Sequence, residues 1–204
     1  MANKRYVFSC DITRGRTISC KDAIGGLKAV YIAKGFSNNI SAVATISSTE
    51  MTTAGFATWS CCGGTVEVFK YDLVPNLSSM TVNIQSDNAN GTTFFNQTLS
   101  VTLQKIDHDT TNELRLMAYS RAQIFVQDSN DNVFLLGIDG GCYVTGGTVI
   151  TGTAKGDLTG YTLEWGAEER NALIQIPASA GPATAVYPFD GLDAEAALPI
   201  TPGT

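Results

Sequence analysis

The sequence predicts an all-β chain with one helix. Threonine and glycine are abundant, with 24 and 20 residues among 204. Threonine is β-branched and favours strands, whereas glycine suits tight turns and bulges. Several segments also alternate apolar and polar residues with a period of two, which is typical of half-buried strands.

The strands follow from this alternation. The clearest one runs from Asn96 to Leu103, with leucine and valine on one side and threonine and serine on the other. An Asn-Gly pair at Asn90 and Gly91 favours a tight turn, so a long hairpin is predicted over about 79–106. A hairpin over 65–84 is a second candidate with one polar face. Further strands are predicted at about 5–9, 29–34, 41–47, 65–71, 123–127, 132–136, 148–151, 161–165 and 172–176.

One segment has helical spacing. Thr110 and Glu113 are three residues apart, as in a capping box, and Leu114 and Met117 follow at intervals that place them on one helix face. A single helix is therefore predicted at about 111–121, lying against the sheet.

The charge is low and unevenly distributed. Only 16% of the residues are charged. Residues 1–28 carry six basic and two acidic residues, a net charge of +4, and residues 29–204 carry seven basic and 17 acidic residues, a net charge of −10. A basic segment on an acidic body favours either head-to-tail contact between copies or a solvated arm. The acidic body argues against tight binding of DNA phosphates.

The chain is predicted to form one β domain over 1–176, with an N-terminal arm over about 1–28. Residues 48–64 are predicted to form a long loop, and its mixed apolar content favours packing on another surface, of which another subunit is one candidate. Five of the six prolines lie in 177–204, so this segment is predicted to be an extended tail. Tyr187 and Phe189 either anchor it to a neighbouring subunit or belong to a disordered tail.

Cysteine usage and hydropathy indicate a reducing compartment. The five cysteines form an odd set, and neither a secretory signal nor an apolar run of membrane-spanning length is recognisable. The cysteines are therefore expected to be reduced thiols that lie in or near the core, as in a cytoplasmic protein.

No segment predicts a catalytic, cofactor or metal site. His108, the only histidine, precedes the predicted helix without a recognisable nucleophile and is interpreted as a surface residue. Adjacent Cys61 and Cys62 lack the spacing of a zinc site. Residues 128–132 begin like a calcium loop, but Val133 stands where that loop needs glycine, so a hairpin turn is predicted. Residues 147–155 depart from the phosphate-binding loop in the position of the lysine. The chain is therefore predicted not to be an enzyme.

Two blocks resemble tail tube (major tail) proteins of tailed bacteriophages. The first is ITRGRTISCKDAIGGLKAVYI at 12–32. The second lies within 122–165 and contains IFV at 124–126, FLLG at 134–137 and GTA with GDLTGYTL at 152–163. The resemblance implies a β-sandwich or small barrel with one flanking helix and long hairpins. It also implies hexameric rings that stack into a tube, whose lumen conducts DNA without binding it specifically.

The resemblance places the protein in the virion tail, assembled in the host cytoplasm beside other tail proteins. Two alternatives remain open at this point. One is another virion ring or decoration protein, such as a tail terminator, a head–tail connector or a capsid decoration protein. The other is a carbohydrate-binding β-sandwich, although Trp59 and Trp165 are too few and too far apart in sequence to argue for an aromatic platform.

Overall fold

The computed structural model describes residues 16, 21, 23–33, 68–176, 187–189 and 200–201. These residues form two β-sheets and one helix, which confirms an all-β sandwich with a single helix. The elements in chain order are β1 Leu27–Ala33, β2 Val68–Asp72, β3 Ser79–Asp87, β4 Thr92–Gln104, α1 His108–Tyr119, β5 Ile124–Asp128, β6 Val133–Leu136, β7 Tyr143–Ile150, β8 Gly160–Glu169, β9 Ile174–Gln175 and β10 Ile200–Thr201.

The first sheet has six strands in the order β10-β2-β1-β5-β6-β9. Its central strand β1 is almost uninterruptedly apolar, and every β1 residue except Lys28 is buried. A continuous apolar strand of this kind must be covered on both faces. Val30 and Ile32 accordingly belong to the core between the sheets, whereas Tyr31 and Ala33 belong to a second core on the opposite face.

The C-terminal segment covers part of this opposite face. The Phe189 ring is fully buried and makes edge contacts with Tyr31 and Phe125, at centroid distances of 5.2 Å and 4.9 Å. The Tyr187 hydroxyl donates to Asp131 at 2.9 Å and accepts from Gln127 Nε2 at 2.8 Å. Both aromatic residues therefore pack on the chain's own six-stranded sheet.

The second sheet has four strands in the order β3-β4-β8-β7, and each neighbouring pair is antiparallel. Its inner face packs on the six-stranded sheet through apolar side chains that include Leu99, Val101 and Trp165. Their alternation along β4 and β8 is the period-two pattern of a strand with one buried face. The core thus lies between the sheets, and the second sheet keeps one face in solvent.

Helix α1 begins three residues earlier than predicted and ends two residues earlier. Its N-cap is Asp107, whose side chain accepts from the Asp109 amide, so the capping box at Thr110 is not used. Aspartate caps a helix at least as well as threonine, which explains the earlier start. The Tyr161 hydroxyl donates to the Asp107 carbonyl at 2.9 Å and thereby ties the helix to the four-stranded sheet. No helix among the described residues has the length and apolar character of a membrane span.

The long hairpin predicted over 79–106 is confirmed as β3 and β4, which pair from Ser79–Ser100 to Asp87–Thr92. The hairpin predicted over 65–84 is wrong, because β2 pairs with β1 in one sheet and β3 pairs with β4 in the other. The strands predicted at 5–9 and 41–47, the loop 48–64 and most of the N-terminal arm lie outside the described residues.

Candidate functional site

The solvent-facing side of the four-stranded sheet is a polar surface built from all four of its strands. Strand alternation sends the small polar residues of β4 outward and its leucine and valine side chains inward. The cross-strand register brings polar residues of the other strands level with them. The outward-facing residues that are exposed or half-buried include Thr81, Asn83, Gln85, Asn96, Thr98, Ser100, Thr148, Thr162, Glu164 and Glu168. We call this set the polar face.

The polar face is acidic. Its four strands comprise 40 residues and contain no lysine or arginine. Glu164 and Glu168 are exposed on β8, and Asp87 is exposed at the end of β3. Carboxylates on strands that carry no lysine or arginine favour a negative potential over the sheet, which repels phosphate groups.

Both edges of this sheet are open in the part of the chain that the structure describes. Within the described residues, β3 pairs only with β4, and β7 pairs only with β8. An open edge exposes a row of backbone N–H and C=O groups that can pair with another strand. β3 has nine residues and β7 has eight, so each edge is long enough to form a full strand pairing.

Neither edge carries lysine, proline or an inward-pointing charge against such pairing, although β7 contains a bulge between Val144 and Gly146. Proteins that keep an edge unpaired place lysine, proline or inward-pointing charges along it. Residues 79–86 and 143–150 contain no charged residue and no proline. Instead, Ile84 of β3 is 69% exposed and Val149 of β7 is 62% exposed. Exposed apolar residues on an unprotected edge favour a partner strand.

Three buried polar side chains, those of Gln97, Gln123 and Glu169, lie on the inner side of the sandwich near one end of the polar face, and we call them the clamp. The chain crosses from the six-stranded to the four-stranded sheet between β6 and β7, and three side chains hold its backbone. The Gln97 side chain accepts from the Gly137 amide at 3.1 Å, and Gln123 Nε2 donates to the Ile138 carbonyl at 3.3 Å. The carboxylate of Glu169 accepts from the amides of Asp139 and Gly140, with the shortest bond at 3.0 Å. The clamp fixes where β7 enters the sheet.

Glu169 is the unusual residue of the clamp because it is a carboxyl only 2% exposed. Burial raises its pKa above the usual value, and the nearby Asp139 carboxyl adds to the rise, whereas the two amides oppose it. A cleft of about 370 Å³ opens beside it. The residues that line the cleft are Phe94, Asp139, Gly140, Glu168, Glu169 and Arg170.

The residues that the sequence analysis considered as catalytic or metal-binding candidates make separate local contacts. His108 is the exposed first residue of α1, and its ring lies 3.3 Å from the Asn112 amide. Asp128 accepts from the amides of Asn130 and Asn132 and so closes the predicted β5–β6 turn. Cys142 is 2% exposed, and burial raises the pKa of its thiol, which keeps it protonated.

The part of the chain that the structure describes contains no candidate metal site, because no three His, Cys, Asp or Glu side chains are grouped so that they could bind an ion. Cys61 and Cys62 lie outside this part. Sequence reasoning missed the clamp, because Gln97 and Glu169 read as ordinary polar positions of exposed strands. One available signal is that Gln97 falls between Phe95 and Leu99 on the apolar side of the β4 alternation.

In comparisons with known proteins, no family model, no curated protein and no solved structure matches the chain.

Proposed function

We propose that the chain is a structural subunit that closes into rings, and that the stacked rings form the tail tube of a bacteriophage, with the polar face lining a channel for DNA. The observation that carries this proposal is an acidic, lysine- and arginine-free sheet face that lies between two unprotected edges of the same sheet. The resemblance of 12–32 and 122–165 to tail tube proteins points in the same direction.

The directions of the strands support ring closure. Because the sheet has four antiparallel strands, its two edge strands β3 and β7 run in opposite directions. A copy placed beside another by rotation about a common axis therefore sets β7 against β3 in antiparallel orientation. Such a head-to-tail contact closes into a ring when the rotation divides a full turn, and closure removes every open edge of the sheet.

The chemistry of the polar face supports a conduit for nucleic acid. Threonine, serine and asparagine hydrate a channel wall without offering a cation to phosphate. The carboxylates of Glu164 and Glu168 repel the phosphate backbone of DNA, so DNA passes through the channel without binding tightly to its wall. A carbohydrate-binding role has less support, because Phe94 and Tyr143, the exposed aromatic residues of this face among those described, do not form a platform. Tyr143 lies level with Thr98, four residues along β4 from Phe94 and two strands away.

The experiment uses the full purified chain at rising concentration, followed by sedimentation analysis and negative-stain microscopy. We expect rings or tubes with a central channel. Ile84→Asp places a charge on the β3 edge and should leave folded monomers, because an unpaired charge opposes burial between strands. The matched control is Leu116→Asp on the exposed side of α1, where leucine is 62% exposed; this variant should assemble normally.

Two outcomes redirect the proposal. A chain that stays monomeric at every concentration and forms no ring contradicts it. Single rings that never stack, even at high concentration, favour a terminator or connector ring over a tube.

A further inference from the structure

We infer that the β7 edge of one copy pairs with the β3 edge of the next with a shift of four residues, which sets Val144 opposite Ile84 and Thr148 opposite Thr81. The residue numbers of these two pairs differ in their sum by one because β7 has a bulge between Val144 and Gly146. This inference rests on the proposed ring and assigns its contact residue by residue. It follows from the stagger of the two edges, the direction of their side chains and the position of their exposed apolar residues.

The first observation is that the two edges are staggered within one sheet. Tyr143 pairs with Gly166, Gly166 with Thr98, and Thr98 with Thr81, so Tyr143 and Thr81 lie level across the sheet. From this level β3 continues in one direction to Asp87, and β7 continues in the other to Ile150. Copies joined without a shift would therefore pair only the first residues of both strands. For the two edges to pair over their full length, each copy must be displaced along the strand direction relative to the next.

The second observation limits the shift to an even number of residues. Met80 of β3 and Val144 of β7 both point into the sandwich, since both lie level with the buried Trp165. Residues directly opposite each other in a sheet share a face. A shift by one or three residues would set Val144 against residues of the polar face and reverse every side chain.

The third observation selects four among the even shifts. With a shift of four, Val144 stands opposite Ile84, and Val149 stands opposite Met80. Ile84 and Val149, which are 69% and 62% exposed in the single chain, then each gain an apolar neighbour. A shift of two leaves Ile84 without a partner. A shift of six sets Ile84 against Gly147, which has no side chain to pack.

The same shift gives the strand tilt that closed barrels adopt. Four residues correspond to about 13 Å along a strand, and four strands span about 19 Å across the sheet, so the strands tilt by about 35° from the ring axis. Barrel strands tilt by roughly 35–45°. A shift of two residues would tilt them by only about 19°, so the geometry of closure and the packing of the apolar residues agree.

The test is a register ladder of cysteine pairs on the polar face. Thr148→Cys is combined in three variants with Ser79→Cys, Thr81→Cys or Asn83→Cys, which stand opposite it for shifts of two, four and six. All four positions are exposed, so the substitutions leave the fold intact, as circular dichroism checks. The assembled protein is treated with a thiol-reactive cross-linker of about 5 Å reach, the distance between side chains directly opposite.

We expect the Thr81 pair to give a strong ladder of covalent multimers on a denaturing gel, ending at the number of subunits in the ring. The Ser79 and Asn83 pairs should give weaker ladders, because they sit diagonally at about 7–8 Å. Mass spectrometry of the linked peptides, with Thr148→Cys alone as control, excludes links through the native cysteines.

Failure of the inference is distinguishable from failure of the proposed function. A dominant ladder from the Ser79 or Asn83 pair overturns the shift of four, and rings that give no ladder from any pair overturn the β7–β3 contact. Protein that forms no ring at all overturns the proposed function itself.

Discussion

The two sheets of the sandwich treat their second face differently. The six-stranded sheet buries both faces, since the core between the sheets covers one and Phe189 with Ile176 packs on the other. The four-stranded sheet buries one face and leaves the other to water, with an open strand on each side in the described part of the chain. The first sheet therefore holds most of the buried aromatic and aliphatic packing in the described part of the chain, whereas the second offers the face and the edges on which the proposed contacts between copies depend.

The largest expected effect on stability comes from the covered face of the six-stranded sheet. Phe189→Ala removes a fully buried ring that contacts Tyr31 and Phe125. We expect the free energy of unfolding to fall by about 3–5 kcal/mol, as for other buried phenylalanines. Urea denaturation measures the loss. Tyr119→Ala is the control because Tyr119 is 88% exposed, and its change should stay near zero. An equal loss in both variants would contradict the role of Phe189 as an anchor.

The next effect tests the crossing between the two sheets. Gly137 has a φ of +69°, and a Cβ there would lie 2.5 Å from the Cys142 backbone nitrogen. Gly137→Ala should cost about 2–4 kcal/mol, because left-handed strain and a steric clash add. Gly91→Ala separates the two causes, since Gly91 has a φ of +63° with open space around it and should cost only about 1–2 kcal/mol. Thermal unfolding measures the loss of stability in both variants. Similar losses would show that the structure around residue 137 shifts and relieves the steric clash.

A smaller effect depends on pH. Burial raises the pKa of Glu169 in the folded chain above its usual value of 4.5, so the folded state binds this proton more tightly than the unfolded state. Its contribution is therefore fully present below about pH 4 and is lost as the pH rises through the raised pKa. Glu169→Gln resembles the protonated carboxyl and should lack this loss.

The measurement compares urea denaturation of the wild type and Glu169→Gln from pH 4 to pH 8. The variant should gain relative stability towards pH 8, by on the order of 1 kcal/mol, the typical net value of one hydrogen bond. Glu113→Gln, which makes the same chemical change at an exposed position of α1, is the matched control. A constant difference between variant and wild type across the range would contradict a proton held by Glu169.

The smallest expected effect on stability comes from an exposed position of the polar face, which is the proposed lining of the DNA channel. Glu164→Lys reverses an exposed charge on the polar face and should change the free energy of unfolding by no more than about 0.5 kcal/mol. Assembled tubes of this variant should retain added DNA in co-sedimentation at low salt and release it at high salt. Glu113→Lys carries the same charge change on α1. Equal retention by both variants would contradict a channel lined by the polar face.

Much of the fold follows from local sequence. The alternation in 96–103 and the Asn-Gly turn predicted the long hairpin, and β4 is the longest strand that the structure describes. The helix was predicted in kind but not in its bounds, because Asp107 and Thr110 both offer caps and only packing against Tyr161 distinguishes them. The hairpin over 65–84 failed, since alternation identifies a strand without naming its partner.

The candidate site divides in the same way. Once the structure gives the strand bounds, the sequence shows that 79–87, 92–104, 143–150 and 160–169 lack basic residues and that Ile84 and Val149 are apolar. It did not reveal that these four segments form one sheet with β3 and β7 at its edges, because strand order depends on contacts between distant residues. The clamp at Gln97 and Glu169 was equally hidden, since its partners are backbone amides some 30 to 40 residues away.

The all-β class, the main hairpin, the presence of one helix and the acidity of the body could all be inferred from the amino-acid sequence. Each of these depends on side-chain period, turn residues or charge, which are local properties of the chain. Only the three-dimensional contacts show which strands share a sheet, which face stays open and that Phe189 packs in the core of its own chain. Those outcomes depend on how buried surfaces match across long separations in the chain, which periodicity does not encode.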